Sequence, residues 1–376
     1  HERKDLVLKF IAEHGELIMQ KAFAMTELEE NLDEAEKIIR RELVKIKGKY
    51  DCADFSLAAL LSMWIEYRDK SIYSEELWND IKDIILDFRF WCDELGNDVM
   101  WFFSENHALI FYTCQLLSGQ LFKEDRFKRS CKTGAEQIEI AKERISDWFD
   151  YFLENGFSEW NSTTYIPIDM IAFFAVYDYA DDEEIKENAK KALDYTFDLL
   201  TINSHHGQMA TTSGRTYDKS LKRVRGNEVA FLNWILFGVG YMNQSTRASV
   251  PLILSDYEYA NEKAPDLVSY TSQEKLIYQT TQGNDGEVTL NSCKTNDYML
   301  SSSNDYKKYQ PGYQENVVHA LIGRNPEAQI FINHPGENSP IGFQRPSYWA
   351  GNGVFPSIKQ YKNIAFMHFD VDEGHL

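Results

Sequence analysis

The sequence changes character near residue 250, and this change limits the folds that the chain can adopt. Before that point, apolar residues recur at helical spacing, as in residues 6–19, 32–39 and 189–200. After it, short alternating runs are separated by Gly, Asn, Asp and Ser, which is typical of antiparallel strands. The sequence therefore predicts a multidomain α+β protein, with a helical domain at residues 1–247 and an antiparallel β domain at 248–376.

The length of the chain supports two domains, because 376 residues are too many for one ordinary helical core. The predicted strands lie at residues 250–254, 274–280, 287–290, 297–301, 328–332 and 363–369. Because the chain stops at Leu376 directly after a strand, we expect the sheet to be incomplete at its C-terminal end.

A weak recurrence divides the helical part of the sequence. Polar residues begin apolar helical runs near residues 54, 104, 163 and 225, and these starts lie 50, 59 and 62 residues apart. A unit of this size is a helical hairpin. Repeated hairpins either stack as an open solenoid or close into a ring. Polar residues at the same point of each hairpin favour the ring, because they would converge on one face.

The net charge of −20 argues against general nucleic-acid binding, which needs a basic surface. No apolar run is long enough to span a membrane. Neither a nucleic acid nor a membrane is therefore an expected partner. A polyanionic substrate would need a local exception to the negative charge of the chain.

The five cysteines, Cys52, Cys92, Cys114, Cys131 and Cys293, are widely spread and form no CxxC motif. Several lie in apolar helical runs, so we interpret them as buried thiols, which favours a reducing compartment. No signal peptide is visible, although the sequence starts inside a helical pattern, and an upstream segment would allow secretion.

The first polar cluster is Ser104-Glu105-Asn106-His107, at the start of an apolar helical run. Ser104 is a predicted N-cap. His107 is either a core histidine or, together with Asn106, lines a cleft and binds an anion at the helix N-terminus.

The second cluster runs from Glu159 through Trp160 and Asn161 to Tyr165, which lies 58 residues after His107. Tyr165 is either a core tyrosine or a proton acceptor and donor. A free phenol titrates near pH ~10, so cationic neighbours would be needed to favour a phenolate.

The third cluster contains His205, His206, Arg215 and Tyr217. Five basic residues fall between positions 215 and 225, against one acid, Asp218. They either form a solvated helix face or supply the local exception to the negative charge, with Arg215 clamping a carboxylate. The adjacent histidines lack partners at a familiar spacing, so no metal ligands are predicted.

The β domain carries His319 and His334 at strand ends, followed by a loop at 345–353 that contains Trp349. These residues either belong to ordinary turns or lie in loops that reach over a neighbouring domain.

With these clusters in this order, the chain resembles the α/α-toroid polysaccharide lyases, particularly the heparinase II/III-like and alginate-lyase-like groups. The resemblance lies in an Asn-His pair at a helix start, a Tyr somewhat more than fifty residues later, and helices followed by strands. It implies a toroid of helical hairpins followed by an antiparallel β-sandwich. The sequence departs from the family at Glu105, where related lyases often have a second Asn.

The resemblance also implies roles for single residues. Asn106 and His107 would neutralise the carboxylate of a uronic acid, and Tyr165 would transfer protons. One of the two β-domain histidines, His334 or His319, would assist. For a further catalytic Tyr or Arg, Tyr217 and Arg215 are the nearest candidates. The predicted substrate-binding residues are Glu105, Glu159, Trp160, Asn161, His206, Arg215, Tyr217, His319 and Trp349.

The implied reaction is β-elimination on an acidic polysaccharide, in which donors at the carboxylate stabilise the charge of the transition state. It requires no cofactor, and the sequence leaves open a structural divalent metal ion in the β domain. The main rival is a glycoside hydrolase on the same toroid, using two of Glu105, Glu159 and Asp169. A second rival is a non-catalytic glycan-binding protein. The glycan, endo or exo action and the oligomeric state are not decided by the sequence.

Overall fold

The structure is a computed structural model that describes residues 2–325, 327–334 and 351–371. Within these residues the helices are α1 Glu2–His14, α2 Met19–Glu27, α3 Leu32–Lys47, α4 Ala53–Tyr67, α5 Glu75–Leu86, α6 Glu105–Leu121, α7 Gly134–Asn155, α8 Ile166–Tyr179, α9 Glu183–Ile202, α10 Asp218–Lys222, α11 Glu228–Phe237, α12 Ser249–Leu254 and α13 Ala264–Ser269. The strands are β1 Leu276–Gln282, β2 Val288–Lys294, β3 Tyr298–Asn304, β4 Val318–Ile322, β5 Gln329–Phe331, β6 Ser357–Tyr361 and β7 Ile364–His368. The predicted α+β class is confirmed. Across the described ranges, we find no helix with the length and apolarity that crossing a bilayer requires.

The chain divides into two compact units. The first unit contains the residues up to 150, residues 168–193 and residues 244–258; the second contains residues 151–167, residues 194–243 and the residues from 259 onward. The helices end with α13 at Ser269, and the strands begin with β1 at Leu276. The domain boundary predicted at residue 247 stays a prediction.

The helices of the first unit form where the sequence places apolar residues on one face. In α3 the buried apolar positions are Ala35, Ile38, Ile39, Leu43 and Ile46, at the spacing of one helical stripe. Acidic residues lie in its first turn and lysines in its last, which suits the helix dipole. Buried aromatic side chains fill the same unit, among them Trp78, Phe88, Phe90, Phe111 and Phe127.

Polar residues start several of the helices, as the recurrence predicts. The Ser104 hydroxyl accepts a hydrogen bond from the His107 N–H at 3.4 Å and caps α6. Asn227 caps α11 in the same way. Helix α4 differs, because its N-cap residue Cys52 makes no side-chain cap bond. Asp54 lies in the first turn of α4, and its carboxylate is directed to a different partner, which is described below.

The second unit contains an antiparallel sheet in the order β1-β2-β3-β4-β5 and a separate β6–β7 hairpin. The register between β3 and β4 places Ser301 opposite His319. Gln360 of β6 bonds to Ser302 of β3 at 2.6 Å, which ties the hairpin to the sheet. Trp160 packs with Val288 and Leu290 of β2 in the core of this unit.

The strand predicted at residues 250–254 is wrong, because these residues belong to helix α12. A short apolar run cannot be assigned to strand or helix by periodicity alone. Pro251 is compatible with the first turn of a helix, where its missing N–H has no intrahelical partner. The other five predicted runs overlap β1, β2, β3, β5 and β7.

The cysteines are all free, but only two of them are buried as predicted. Cys114 and Cys293 are buried, whereas Cys52, Cys92 and Cys131 are exposed. Cys52 and Cys131 adopt positive φ values of 63° and 58° in turns, so they stand outside the apolar faces of the neighbouring helices. The exposed thiol of Cys52 lies directly before α4.

Candidate functional site

The first unit brings His107 against a buried carboxylate. His107 Nδ1 lies 2.8 Å from Asp54 Oδ2, which joins the first turns of α6 and α4. The ring of Phe55 stacks on His107 at 4.8 Å between centroids, with an interplanar angle of 15°. The bond and the stacking fix the imidazole in one orientation.

The same environment favours a positive charge on His107. Burial alone disfavours the charged imidazole, but the hydrogen bonds to Asp54 and Cys52 and the charges of these groups outweigh it. Together they raise the pKa of His107 to about 10. The Asp54–His107 pair therefore carries its proton on the imidazole at neutral pH.

Glu105 and Asn106 lie beside His107 on the first turn of α6. Asn106 is buried, and its Oδ1 accepts a hydrogen bond from the Ser104 hydroxyl at 3.3 Å. Glu105 is partly buried, and its backbone carbonyl accepts a hydrogen bond from Trp148 Nε1 at 3.2 Å. The predicted cluster of Ser104, Asn106 and His107 is thus present as one local group.

Backbone hydrogen bonds assemble a second group of polar residues in the second unit. The Gly214 N–H donates to the Trp160 carbonyl at 2.7 Å, and the Ser162 hydroxyl donates to the Arg215 carbonyl at 2.9 Å. Ser213 exchanges two backbone bonds of 2.8 Å with Asn316. A Cβ atom on Gly214 would meet the Trp160 ring at 2.6 Å, so glycine permits this close approach.

Arg215 lies at the centre of this group, which we call the Arg215 cluster (Glu159, Tyr165, Arg215, Tyr217 and Tyr313). Its guanidinium carbon lies 5.3 Å from the Tyr165 ring centroid and 5.5 Å from that of Tyr313. Arg215 Nη1 lies 3.2 Å from Glu159 Oε1. Arg215 Nε is buried and has no hydrogen-bond acceptor among the residues that the structure describes.

The hydroxyl groups of Tyr165 and Tyr217 share a hydrogen bond of 2.7 Å within the Arg215 cluster. Burial is the largest cause that raises the pKa of Tyr165 above its ordinary value, followed by the bond to Tyr217, while Arg215 acts in the opposite direction. Tyr165 is consequently a neutral phenol that can donate a proton. A hydrogen bond to Tyr217 also helps to hold the charge of Arg215.

Two residues near Arg215 were not predicted from the sequence. The Tyr313 ring is 45% exposed and covers the guanidinium. Burial raises the pKa of Glu315, and the positive charge of Arg215 partly opposes this shift. Both residues lie a few positions before His319, which is the residue of this segment that the sequence predicts as part of a site.

Trp160 and Asn161 are buried parts of the second unit. Trp160 is 2% exposed, and Tyr306 approaches its ring at 5.7 Å. Trp160, a predicted substrate-binding residue, is therefore a core residue of this unit in the structure. The Asn161 side chain accepts a hydrogen bond from Gln282 at 2.9 Å, which ties this turn to the end of β1.

His205 and His206 bond to the backbone beside β2. His205 Nε2 lies 2.8 Å from the Thr295 carbonyl oxygen, and His206 Nε2 lies 2.8 Å from that of Asn296. Burial lowers the pKa of His205 to about 4. His205 is therefore neutral at physiological pH and holds this turn in place.

His319 is buried in the sheet, with both ring nitrogens hydrogen-bonded. Nδ1 lies 2.7 Å from Asn316 Nδ2, and Nε2 lies 2.8 Å from Gln329 Oε1. Since an amide nitrogen donates and an amide oxygen accepts, His319 carries its proton on Nε2. Burial lowers its pKa to about 4. Both nitrogens of His319 are thus occupied within the second unit.

We expect His319 to make the protein less stable in acid. Its folded pKa of about 4 lies below the ordinary value near 6.5, so the unfolded state binds more protons in that window. The contribution of His319 to the free energy of unfolding is therefore fully present above about pH 6.5 and is lost as the pH falls toward 4. His319→Gln should remove on the order of 3 kcal/mol of this loss, measured by denaturant unfolding at pH 7 and pH 4.5.

The matched control is His14→Gln, since the side chain of His14 is exposed. This variant should keep the wild-type pH dependence. An unchanged pH dependence in His319→Gln would contradict the assignment of His319 as a neutral buried histidine.

His334 is partly buried and close to the chain segment around Asn352. Its backbone N–H donates to Asn352 Oδ1 at 2.9 Å, and its ring lies 5.9 Å from that of Phe369. Trp349, the remaining predicted residue, lies outside the described residues. The roles predicted for both stay predictions.

The basic run after Arg215 is divided among different contacts. Lys222 pairs with Asp218 at 3.3 Å, and Arg225 pairs with Glu327 at 3.3 Å. Arg215, the first of the five basic residues in this run, contacts Tyr165 and Glu159.

The predicted site residues fall into two groups, one in each unit. Asn106 and His107 lie together in the first unit, and Glu159, Tyr165, Arg215 and Tyr217 lie together in the second. Comparisons of the chain with protein-family profiles, curated proteins and solved structures found no match.

Proposed function

We propose that the protein is a polysaccharide lyase that cleaves a uronic-acid-containing glycan by β-elimination. The observation that carries the proposal is the Arg215 cluster, in which a buried guanidinium N–H without an acceptor among the described residues lies beside two hydrogen-bonded phenols. A buried donor of this kind requires an acceptor, and a carboxylate matches a guanidinium in charge and geometry. The α/α toroid and the β-sandwich implied by the resemblance belong to this proposal.

The two phenols divide the proton transfer between them. In the proposed reaction the C5–H bond breaks, C4 and C5 form a double bond, and the C4–O4 bond breaks with its electron pair on O4. Tyr217, hydrogen-bonded to Arg215, takes up the C5 proton on its oxygen while its own hydroxyl proton moves to Tyr165. Tyr165 protonates O4 and regains a proton from Tyr217 through their 2.7 Å bond.

Electrostatic stabilisation accompanies the proton transfer. As C5 loses its proton, negative charge accumulates on the uronate carboxylate, and a preorganised cation stabilises this charge more than that of the ground state. Arg215 supplies the cation in the second unit. The role that the resemblance gives to Asn106 and His107 in the first unit, neutralising a uronate carboxylate, stays a prediction. In that unit the His107 ring is held by Asp54 and Phe55.

A glycoside hydrolase remains the second candidate, and one observation favours it. Glu159 and Glu315 are both close enough to interact with Arg215, and burial raises the pKa of Glu315. Glycosidases use a pair of carboxyl groups, one of which has a raised pKa and acts as the acid. Such an enzyme would not need a carboxylate on the sugar that it cleaves.

The dependence on the substrate carboxylate tests the proposal. The full chain is incubated with a panel of uronate polysaccharides and with the same polysaccharides after chemical reduction of their carboxyl groups. The lyase should give an ultraviolet-absorbing product from at least one native polysaccharide and none from its reduced form, because elimination requires the acidity that the carboxylate gives to C5–H. Equal cleavage of native and reduced polymers would favour the hydrolase, and binding without cleavage would favour a glycan-binding protein.

A further inference from the structure

Three side chains of different chemistry meet where α4 begins. One ligand atom from each of Asp51, Cys52 and His107 lies within 4.8 Å of the other two. Asp51 and Cys52 are exposed, so an ion can reach them from solvent, whereas His107 is buried. The three residues belong to the first unit.

From this geometry we infer that Asp51, Cys52 and His107 form a zinc-binding site. Thiolate, imidazole and carboxylate are the donors that Zn²⁺ prefers, and the thiolate disfavours Mg²⁺ and Ca²⁺. Ligand atoms around a tetrahedral zinc ion lie roughly 3.4–3.6 Å apart. The three ligand atoms, which lie within 4.8 Å of one another, would have to approach to this spacing when zinc binds.

Asp54 provides the second argument for a metal site. Because His107 Nδ1 is bonded to Asp54 at 2.8 Å, Nε2 is the nitrogen that would bind an ion, in exchange for its proton. Metal-binding histidines in proteins commonly donate their other ring N–H to a carboxylate, which fixes the ring and strengthens the ligand. The Asp54 carboxylate is fully buried and bonded to His107, so it can serve as such a partner.

Three protein ligands leave one position of a tetrahedral zinc ion open. This composition is typical of catalytic zinc sites, whereas structural sites usually have four protein ligands. The open position would take water or another oxygen ligand. The metal site uses neither Arg215 nor the two phenols, but it would occupy the His107 nitrogen that the resemblance assigns to the substrate carboxylate. Failure to bind a metal ion would therefore leave the Arg215 cluster and its reaction unaffected.

Cobalt binding tests the site directly, because tetrahedral Co²⁺ with a thiolate ligand gives a charge-transfer absorption band. The reduced full-length chain is titrated with Co²⁺ in the absence of oxygen, and Zn²⁺ is then added in competition. We expect the band to saturate at one equivalent of Co²⁺ and to disappear when Zn²⁺ is added. The control variants Cys92→Ser and Cys131→Ser, which change the other exposed cysteines, should keep the band.

Cys52→Ser should abolish the charge-transfer band. Cys52 is exposed, so the substitution should not disturb folding, and a circular dichroism spectrum like that of the wild type would verify this. Asp54→Asn tests the positioning role and should weaken Co²⁺ binding by 10–100-fold, about the effect of losing such a partner. A wild-type protein without the band, or a Cys52→Ser variant that retains it, would overturn the inference.

Discussion

Tyr165→Phe is expected to reduce turnover of a uronate polysaccharide by about 10³-fold, the scale of a lost general acid. Phenylalanine keeps the ring that lies 5.3 Å from the Arg215 guanidinium but removes the hydroxyl that bonds to Tyr217. The protonation of O4 then has no donor at this position. The measurement is the initial rate at which ultraviolet-absorbing product forms at saturating polysaccharide. The free energy of unfolding is measured in parallel, so that a loss of folded protein is not taken for a loss of catalysis.

The control for this variant is Tyr309→Phe, which also removes one phenol of the second unit. Tyr309 is 41% exposed and bonds to His368 Nδ1 at 2.9 Å, away from the contacts of the Arg215 cluster. It should retain turnover close to the wild type. Full activity in Tyr165→Phe would remove Tyr165 from the mechanism.

Lys294→Met is expected to lower the free energy of unfolding by about 3 kcal/mol, because buried carbonyl groups lose their donor. Lys294 is 1% exposed, and its Nζ donates to the carbonyl oxygens of Ile202, Ser204 and Leu267 at 2.8, 2.7 and 2.7 Å. These bonds join the end of β2 to the C-terminal end of α9 and to α13. Burial lowers the pKa of Lys294 to about 7, while the three carbonyl oxygens favour its charged form.

Chemical unfolding of the full chain measures this effect, with Lys359→Met as the control. Lys359 is exposed and pairs with Asp305 at 2.6 Å. An exposed ion pair contributes roughly 0–1 kcal/mol, so the control should stay within about 1 kcal/mol of the wild type. Equal stabilities of the two variants would contradict the role of Lys294 as a buried tie between elements.

Local signals in the sequence were sufficient to predict several elements of the fold. The Ser104 cap depends on interactions within a few residues, and it is present. The helix at 249–254 could not be predicted in this way, because a short apolar run fits a strand equally well. Its conformation is decided by tertiary contacts that a local pattern does not contain.

The candidate site was predictable only in part, because its contacts join distant positions of the chain. The Asp54–His107 bond spans 53 residues, and neither residue alone indicates the other. Tyr313 reaches Arg215 because Ser213 and Thr216 pair with Asn316 and Gln314 across about a hundred residues. The residue types at Asn106, His107, Tyr165 and Arg215 suggested chemistry, but sequence spacing does not determine such pairings.

The ratio of product ends tests the proposed reaction most directly. Each β-elimination creates one unsaturated end, which absorbs ultraviolet light, and one reducing end, whereas each hydrolysis creates only a reducing end. Both are counted in the same digest of the native polysaccharide that the wild-type chain cleaves. The lyase proposal predicts equal numbers of unsaturated and new reducing ends. New reducing ends without ultraviolet absorbance would contradict it.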